Sequence, residues 1–209
     1  DIFLYSSFAV ILFGLLTTFS RAAWLAMLLV TCYLLLSSIH YKEYRLFSFK
    51  IIASIILVVV TFSTLFPGLL SARVDNQNRL KAKSSSERLV GFKQSWQIIK
   101  KHPLLGVGVG NYGLAVQRNI DDTQAAWYYQ PVHNLPLLIW TELGLIGLLL
   151  VTCYLLLSFL RTKDTIQTII FILPLLSLSF FDHYLWSLYP GLMILALWLG
   201  LLTKSRQDV

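Results

Sequence analysis

Six runs of apolar residues, each near the length of a bilayer crossing, make up most of this chain: 2–19, 22–39, 51–72, 135–160, 169–186 and 188–202. A hydrocarbon core of roughly 30 Å takes about 20 helical residues to cross. In lipid every backbone polar group must be satisfied within its own segment, so each run is read as an α-helix. Hydrophobic residues are 56% of the sequence and charged ones 13%, with a mean hydropathy of +0.69, which excludes an ordinary soluble domain. The expected fold is an all-α integral membrane protein with about six transmembrane helices, forming one membrane domain over residues 1–209. The first run starts at the chain's beginning, with no initiator Met and no basic flank. The chain is therefore expected to be the C-terminal part of a longer protein.

The polar segment 73–133 breaks this pattern. It carries Arg73, Arg79, Lys81, Lys83, Arg88, Lys93, Lys100, Lys101 and Arg118 against Asp75, Glu87, Asp121 and Asp122. Cations gathered at the edge of a lipid phase point to an anionic, lipid-carried ligand; nucleic acid is not expected. Short basic segments close to span ends mark the cytoplasmic side. Three of them, with Lys42, Arg45 and Lys50, with Arg161 and Lys163, and with Lys204 and Arg206, can face the cytoplasm together. That arrangement puts the Ser20-Arg21 turn, the long loop and Asp182-His183 on the outer face. Within the loop, Ser84 and Glu87 have capping-box spacing, and an amphipathic helix is expected from there to about Lys101, before Pro103. Its apolar arc is Leu89, Phe92, Trp96 and Ile99, bordered by Arg88 on one side and by Lys93 and Lys100 on the other.

Single residues carry weaker signals. Gly106, Gly108, Gly110 and Gly113 form a glycine-rich stretch in which Gly108 to Gly113 satisfies G-x-G-x-x-G, but a dinucleotide site needs a strand before the motif and a parallel sheet around it. A tight re-entry of the loop, with amides free to approach a ligand, is the expectation instead. Arg21 opens the second run, where snorkelling competes with a ligand role. His133-Asn134 stands at the mouth of the fourth run, and Glu142 lies inside it, costly unless paired or near water. Asp182-His183 are two ionisable residues among aromatics. No pair of these has the spacing of a recognised metal motif, so no metal or other cofactor is expected. Cys32 and Cys153 fall inside runs and are read as buried small hydrophobes. Val-Thr-Cys-Tyr-Leu-Leu-Leu-Ser occurs twice, at 30–37 and 151–158, a coincidence that Leu-rich helices make cheap.

The ordered set Ser20-Arg21-Ala22-Ala23-Trp24, then Arg88 to Trp96, Pro103, Gly106-Val-Gly-Val-Gly-Asn111, His133-Asn134 and Glu142-Leu-Gly144-Leu-Ile-Gly147 resembles the O-antigen ligase and Wzy-type polymerase superfamily. The resemblance runs through almost the whole chain, with Ala22 where the family often has Gly. It implies a multi-span enzyme of the bacterial cytoplasmic membrane with an outward-facing active site. Such an enzyme moves a glycan from an undecaprenyl-diphosphate carrier to a lipid or saccharide acceptor. The family's functional arginines and histidine carry over to Arg21, Arg88 and His133, and Arg73 or Arg79 is a further candidate for the diphosphate.

Arginine's planar, permanently charged fork suits a diphosphate, and His133 suits the acceptor's proton, with Glu142 or Asn134 as its orienting partner. Metal-free, inverting transfer follows. The rival reading is a transporter or flippase that binds lipid-linked anionic glycans with the same loop and needs no base. A membrane acyltransferase or protease lacks a serine or cysteine nucleophile beside His133.

Overall fold

Pro67 ends what the hydropathy profile reads as a single third crossing. In the computed structural model, which describes residues 2–68, 77–161 and 165–204, helix α3 (Glu43–Leu65) stops there with Phe66 as its cap. Proline disfavours the helical region for the residue before it and offers no N–H to the helix. The other elements, in order, are α1 (Ile2–Thr17), α2 (Arg21–His40), α4 (Gln77–Lys101), α5 (Tyr112–Asn119), a 3₁₀ turn (Ala126–Tyr128), α6 (Leu135–Arg161), α7 (Thr165–Phe181), α8 (Tyr184–Ser187) and α9 (Tyr189–Lys204). The described residues are helical with no strand. Arg73 lies outside the described residues, and Arg79 lies in α4 with its side chain outside them.

Three helices are both long and apolar enough to cross a membrane: Arg21–His40, Glu43–Leu65 and Leu135–Ser158. The other three expected crossings appear as shorter apolar helices, Tyr5–Thr17, Thr168–Phe181 and Tyr189–Gly200. In full the helices α1, α7 and α9 have 16, 17 and 16 residues, about 24–26 Å at 1.5 Å per residue. The fifth expected run is cut where Asp182 accepts the His183 amide at 2.8 Å, ending α7 at Phe181.

The chain divides into two compact units, Asp1–Ala82 with Ile172–Leu178, and Lys83–Phe171 with Ser179–Val209. In the first, Leu12, Leu16, Val58 and Phe62 form the core, with Phe13 edge-on to Phe62 at 5.5 Å. Ser48 donates to the Leu34 carbonyl at 3.2 Å, tying α3 to α2. Arg45, in the first turn of α3, donates to the Ser38 and Ile39 carbonyls and so caps the end of α2. Cys32 and Cys153 are exposed on α2 and α6 rather than buried. On a membrane helix an outward, lipid-facing position suits a small apolar thiol as well as a core does.

The second unit is built around a broken helix. Gly144, within α6, has φ 71° and ψ −175°, a conformation essentially reserved for glycine. The break removes the hydrogen bonds that Leu145 and Ile146 would make to Thr141 and Glu142. The loop after α4 fills all four vacancies. Leu145 and Ile146 N–H donate to the Pro103 and Leu104 carbonyls at 2.9 and 3.3 Å, while Val107 and Gly108 N–H donate to the Thr141 and Glu142 carbonyls at 3.1 and 2.8 Å. The glycine-rich stretch thus re-enters as expected, but the amides of Val107 and Gly108 are spent on α6 rather than left for a ligand. Two glycines make the approach possible. A Cβ on Gly144 would sit 2.1 Å from the Leu104 carbonyl oxygen, and one on Gly106 2.4 Å from that of Glu142.

Helix α4 differs from expectation in extent and facing. It begins at Gln77, so Ser84 lies inside it and is not its N-cap. Its inward face is Gly91, Ser95, Ile98 and Ile99, whereas Leu89, Phe92 and Trp96 are 62%, 42% and 49% exposed. Ile98 packs in a cluster with Tyr112, Val116, Val132 and Leu138. Tyr112 donates from its hydroxyl to the Gly91 carbonyl at 3.2 Å. The stronger apolar arc stays outside, as suits a helix at a lipid interface.

Candidate functional site

Asn134 fixes the geometry at the mouth of α6. Its side-chain oxygen accepts the Leu137 amide at 2.9 Å, an N-cap bond, and its amide nitrogen donates to the Phe180 carbonyl at 3.2 Å. The end of α7 is thereby held beside the start of α6, and the residues following each helix meet. His133 Nδ1 lies 3.4 Å from Asp182 Oδ1, with the two side chains about one-third exposed. That Nδ1 is shielded from solvent and makes no well-formed hydrogen bond among the described residues, so Asp182 is its electrostatic partner. His183 stacks obliquely on His133 with ring centroids 4.8 Å apart, and its Nδ1 is 2.5 Å from Ser187 Oγ.

The electrostatics follow from this packing. Burial pushes the Asp182 carboxyl up, but the adjacent His133 imidazole, the His183 amide that it accepts and the His183 ring outweigh this and hold the carboxyl below its ordinary value. Burial and the neighbouring His133 push His183 down, against the opposing pull of Asp182. An ionised Asp182 at Nδ1 favours the tautomer with its proton there, leaving Nε2 with a lone pair. The cluster can therefore take up a proton at His133 and stabilise the resulting imidazolium. Ligand atoms of His133, Asp182 and His183 also lie within 4.8 Å of one another, so among the described residues these three side chains could hold a divalent metal ion.

Neither expected orienting partner reaches His133. Asn134 is occupied as described, and Glu142, buried at 3% exposure, accepts the Trp186 indole N–H at 2.8 Å. Glu142 and Trp186 instead border a cavity of about 550 Å³ with Tyr112, Ser187 and Tyr189. Asp182 is the residue that sequence reasoning left without a role. It stands 49 positions from His133, and its only signal was an ionisable pair in an apolar run.

Arg88 is exposed on α4, one position after Glu87, which with Val90, Gly91 and Gln94 forms one wall of a groove of about 650 Å³ reaching His133. Arg21 belongs to the first unit. It is the first residue of α2, after the N-cap Ser20, whose side chain accepts the Ala23 amide at 3.3 Å. It is exposed there, where the helix dipole disfavours a cation, so helix stability does not account for an arginine at this position.

A family model described as O-antigen ligase matches residues 6–152, about 70% of the chain, from α1 into α6. The chain belongs to the O-antigen ligase family. The match takes in Arg21, Arg88, His133 and the Gly144 break, while Asp182 and His183 fall beyond it. No curated protein and no solved structure matches the chain significantly. Family membership and the apolar helices make this a membrane protein with an activity of the O-antigen ligase or polymerase type. Its partners are, in general terms, a lipid-linked glycan and a saccharide.

Proposed function

We propose that the protein is an inverting, metal-independent glycosyltransferase. It joins a glycan from an undecaprenyl-diphosphate carrier to an acceptor hydroxyl on the outer side of the bacterial cytoplasmic membrane. The observation that carries this reading is the pairing of His133 with Asp182 at the head of a groove, in a chain of the O-antigen ligase family.

In the proposed step, His133 Nε2 takes the proton of the acceptor hydroxyl as its oxygen attacks the anomeric carbon. A new glycosidic C–O bond forms, and the bond from the anomeric carbon to the diphosphate oxygen breaks on the opposite face. The electron pair leaves with the carrier diphosphate. Asp182 stabilises the imidazolium formed at His133, as a carboxylate does for a general-base histidine. Arg21 and Arg88 bind the diphosphate and stabilise its growing charge. Arg73 and Arg79 belong to the same basic segment and are further candidates for that contact. Asn134 and Glu142 act on the site by fixing the mouth of α6 and the residues around it.

The test uses full-length protein with a lipid-diphosphate donor and separate readouts of donor binding and product. His133→Ala should remove most of the roughly 10²- to 10⁴-fold that general-base catalysis contributes and leave donor binding nearly intact. Arg88→Ala should weaken both. Transfer at the wild-type rate by His133→Ala defeats the base assignment. Glycan carried across the bilayer with no release of carrier diphosphate favours the transporter instead.

A further inference from the structure

The groove that ends at His133 has a second wall, formed by Trp127 to Val132, and its chemistry differs from that of the basic loop around it. Its lining holds Glu87 and Asp121 with no Lys or Arg. Such a surface repels a diphosphate, so this is not where the charged end of a donor rests. Trp127 and Tyr128 are 84% and 59% exposed while the next residue, Tyr129, is 9% exposed. Trp127 belongs to neither hydrophobic core.

The turn that presents these two rings is held firmly. Tyr129 donates from its hydroxyl to the Asp121 carbonyl at 2.7 Å, and Tyr128 N–H donates to the Ala125 carbonyl at 2.9 Å. Helix α5 packs so close that a Cβ on Gly113 would lie 2.4 Å from the Ala126 carbonyl oxygen. Tyr128 meets Tyr129 edge-on at 5.8 Å. Exposed aromatic faces carried on a held turn, beside carboxamides and carboxylates, match a neutral pyranose, which offers C–H groups on its faces and hydroxyls at its rim. Gln94 and Gln130 supply the carboxamides. A volume of about 650 Å³ is in the range of small-ligand sites.

We propose that this groove is the acceptor subsite, binding a neutral saccharide by stacking on Trp127 and Tyr128 and presenting one hydroxyl to His133. The word acceptor rests on His133 being the base; saccharide binding does not.

The experiment uses full-length protein in nanodiscs and, as probe, the host's envelope glycan released by mild acid, free of lipid and diphosphate. Binding is read by saturation-transfer NMR, and transfer is read separately. Trp127→Ala removes a side chain outside both cores, so folding is preserved. It should weaken binding and raise the acceptor KM roughly tenfold, as loss of an aromatic contact does, with donor KM unchanged. Trp127→Phe should restore most of the loss. Unchanged binding in Trp127→Ala overturns the proposal. So does strong quenching of Trp127 emission by brominated lipid, which would place the indole among acyl chains. His133→Ala that binds the probe but does not transfer supports both readings. If His133→Ala transfers normally while Trp127→Ala still loses the probe, the base assignment fails and the groove stands as a saccharide site.

Discussion

Replacing Gly144 by Ala should expel a loop rather than simply loosen a helix. The added Cβ would lie 2.1 Å from the Leu104 carbonyl oxygen, closer than any contact can stand, and φ 71° with ψ −175° is strained for any residue but glycine by about 1–3 kcal/mol. The four bonds of the clasp join two pairs that are natural i to i+4 partners, Thr141 with Leu145 and Glu142 with Ile146. An alanine lets α6 close on itself, recovering two bonds and leaving the Leu104 carbonyl and the amides of Val107 and Gly108 without these partners, while the Pro103 carbonyl keeps only the Trp140 indole N–H. At about 0.5–1.5 kcal/mol net per bond, the lost bonds and displaced packing come to roughly 2–5 kcal/mol, a large share of a typical stability of 5–15 kcal/mol. Hydrogen exchange in detergent reads this directly. Wild type should protect the amides of Val107, Gly108, Leu145 and Ile146 together; Gly144→Ala should lose protection at the first two and keep it at the last two. A variant with unchanged melting and unchanged protection at Val107 and Gly108 would refute the clasp.

Two further outcomes concern the histidine cluster. Asp182→Asn should lower kcat by about 10²-fold, within the range of general-base catalysis, with donor KM little changed and partial recovery in Asp182→Glu. Asp182 is held below its ordinary value of 3.8. Its contribution to stability is therefore present above that value and is lost only as pH falls through the depressed folded value, measurable as a melting temperature that declines below about pH 4. Transfer should survive EDTA. Added Zn²⁺ should inhibit it by occupying the lone pair of His133, and His183→Ala should relieve that inhibition. Activity abolished by EDTA and restored by Mg²⁺ or Mn²⁺ would overturn the metal-free mechanism.

The parts of the molecule legible in the sequence were those set by local chemistry. Apolar runs identify helices because lipid leaves the backbone no alternative, and the three helices both long and apolar enough to cross a membrane appear where hydropathy places them. His133 stood out as an ionisable residue at a helix mouth. Its partner did not, because Asp182 is brought to it by the Asn134 bond to Phe180, a contact no periodicity encodes. The facing of α4 was missed for a related reason: Leu89, Phe92 and Trp96 reveal which arc is apolar, not whether protein or lipid covers it. Gly91 and Ser95 turn inward because small residues let Val132 and Tyr112 approach. The glycine-rich stretch could be seen to turn tightly, yet its destination depended on Gly144, a lone glycine in an apolar helix whose role becomes visible only with the helix broken.

The most direct test of the central claim is the stoichiometry and stereochemistry of one turnover by the full-length protein. Donor labelled at the anomeric carbon and in the carrier should yield one free undecaprenyl diphosphate for each glycosidic bond formed, with the anomeric configuration inverted, and both products should form roughly 10²- to 10⁴-fold more slowly in His133→Ala. Retained configuration, or glycan moved without a matching release of carrier diphosphate, would contradict it.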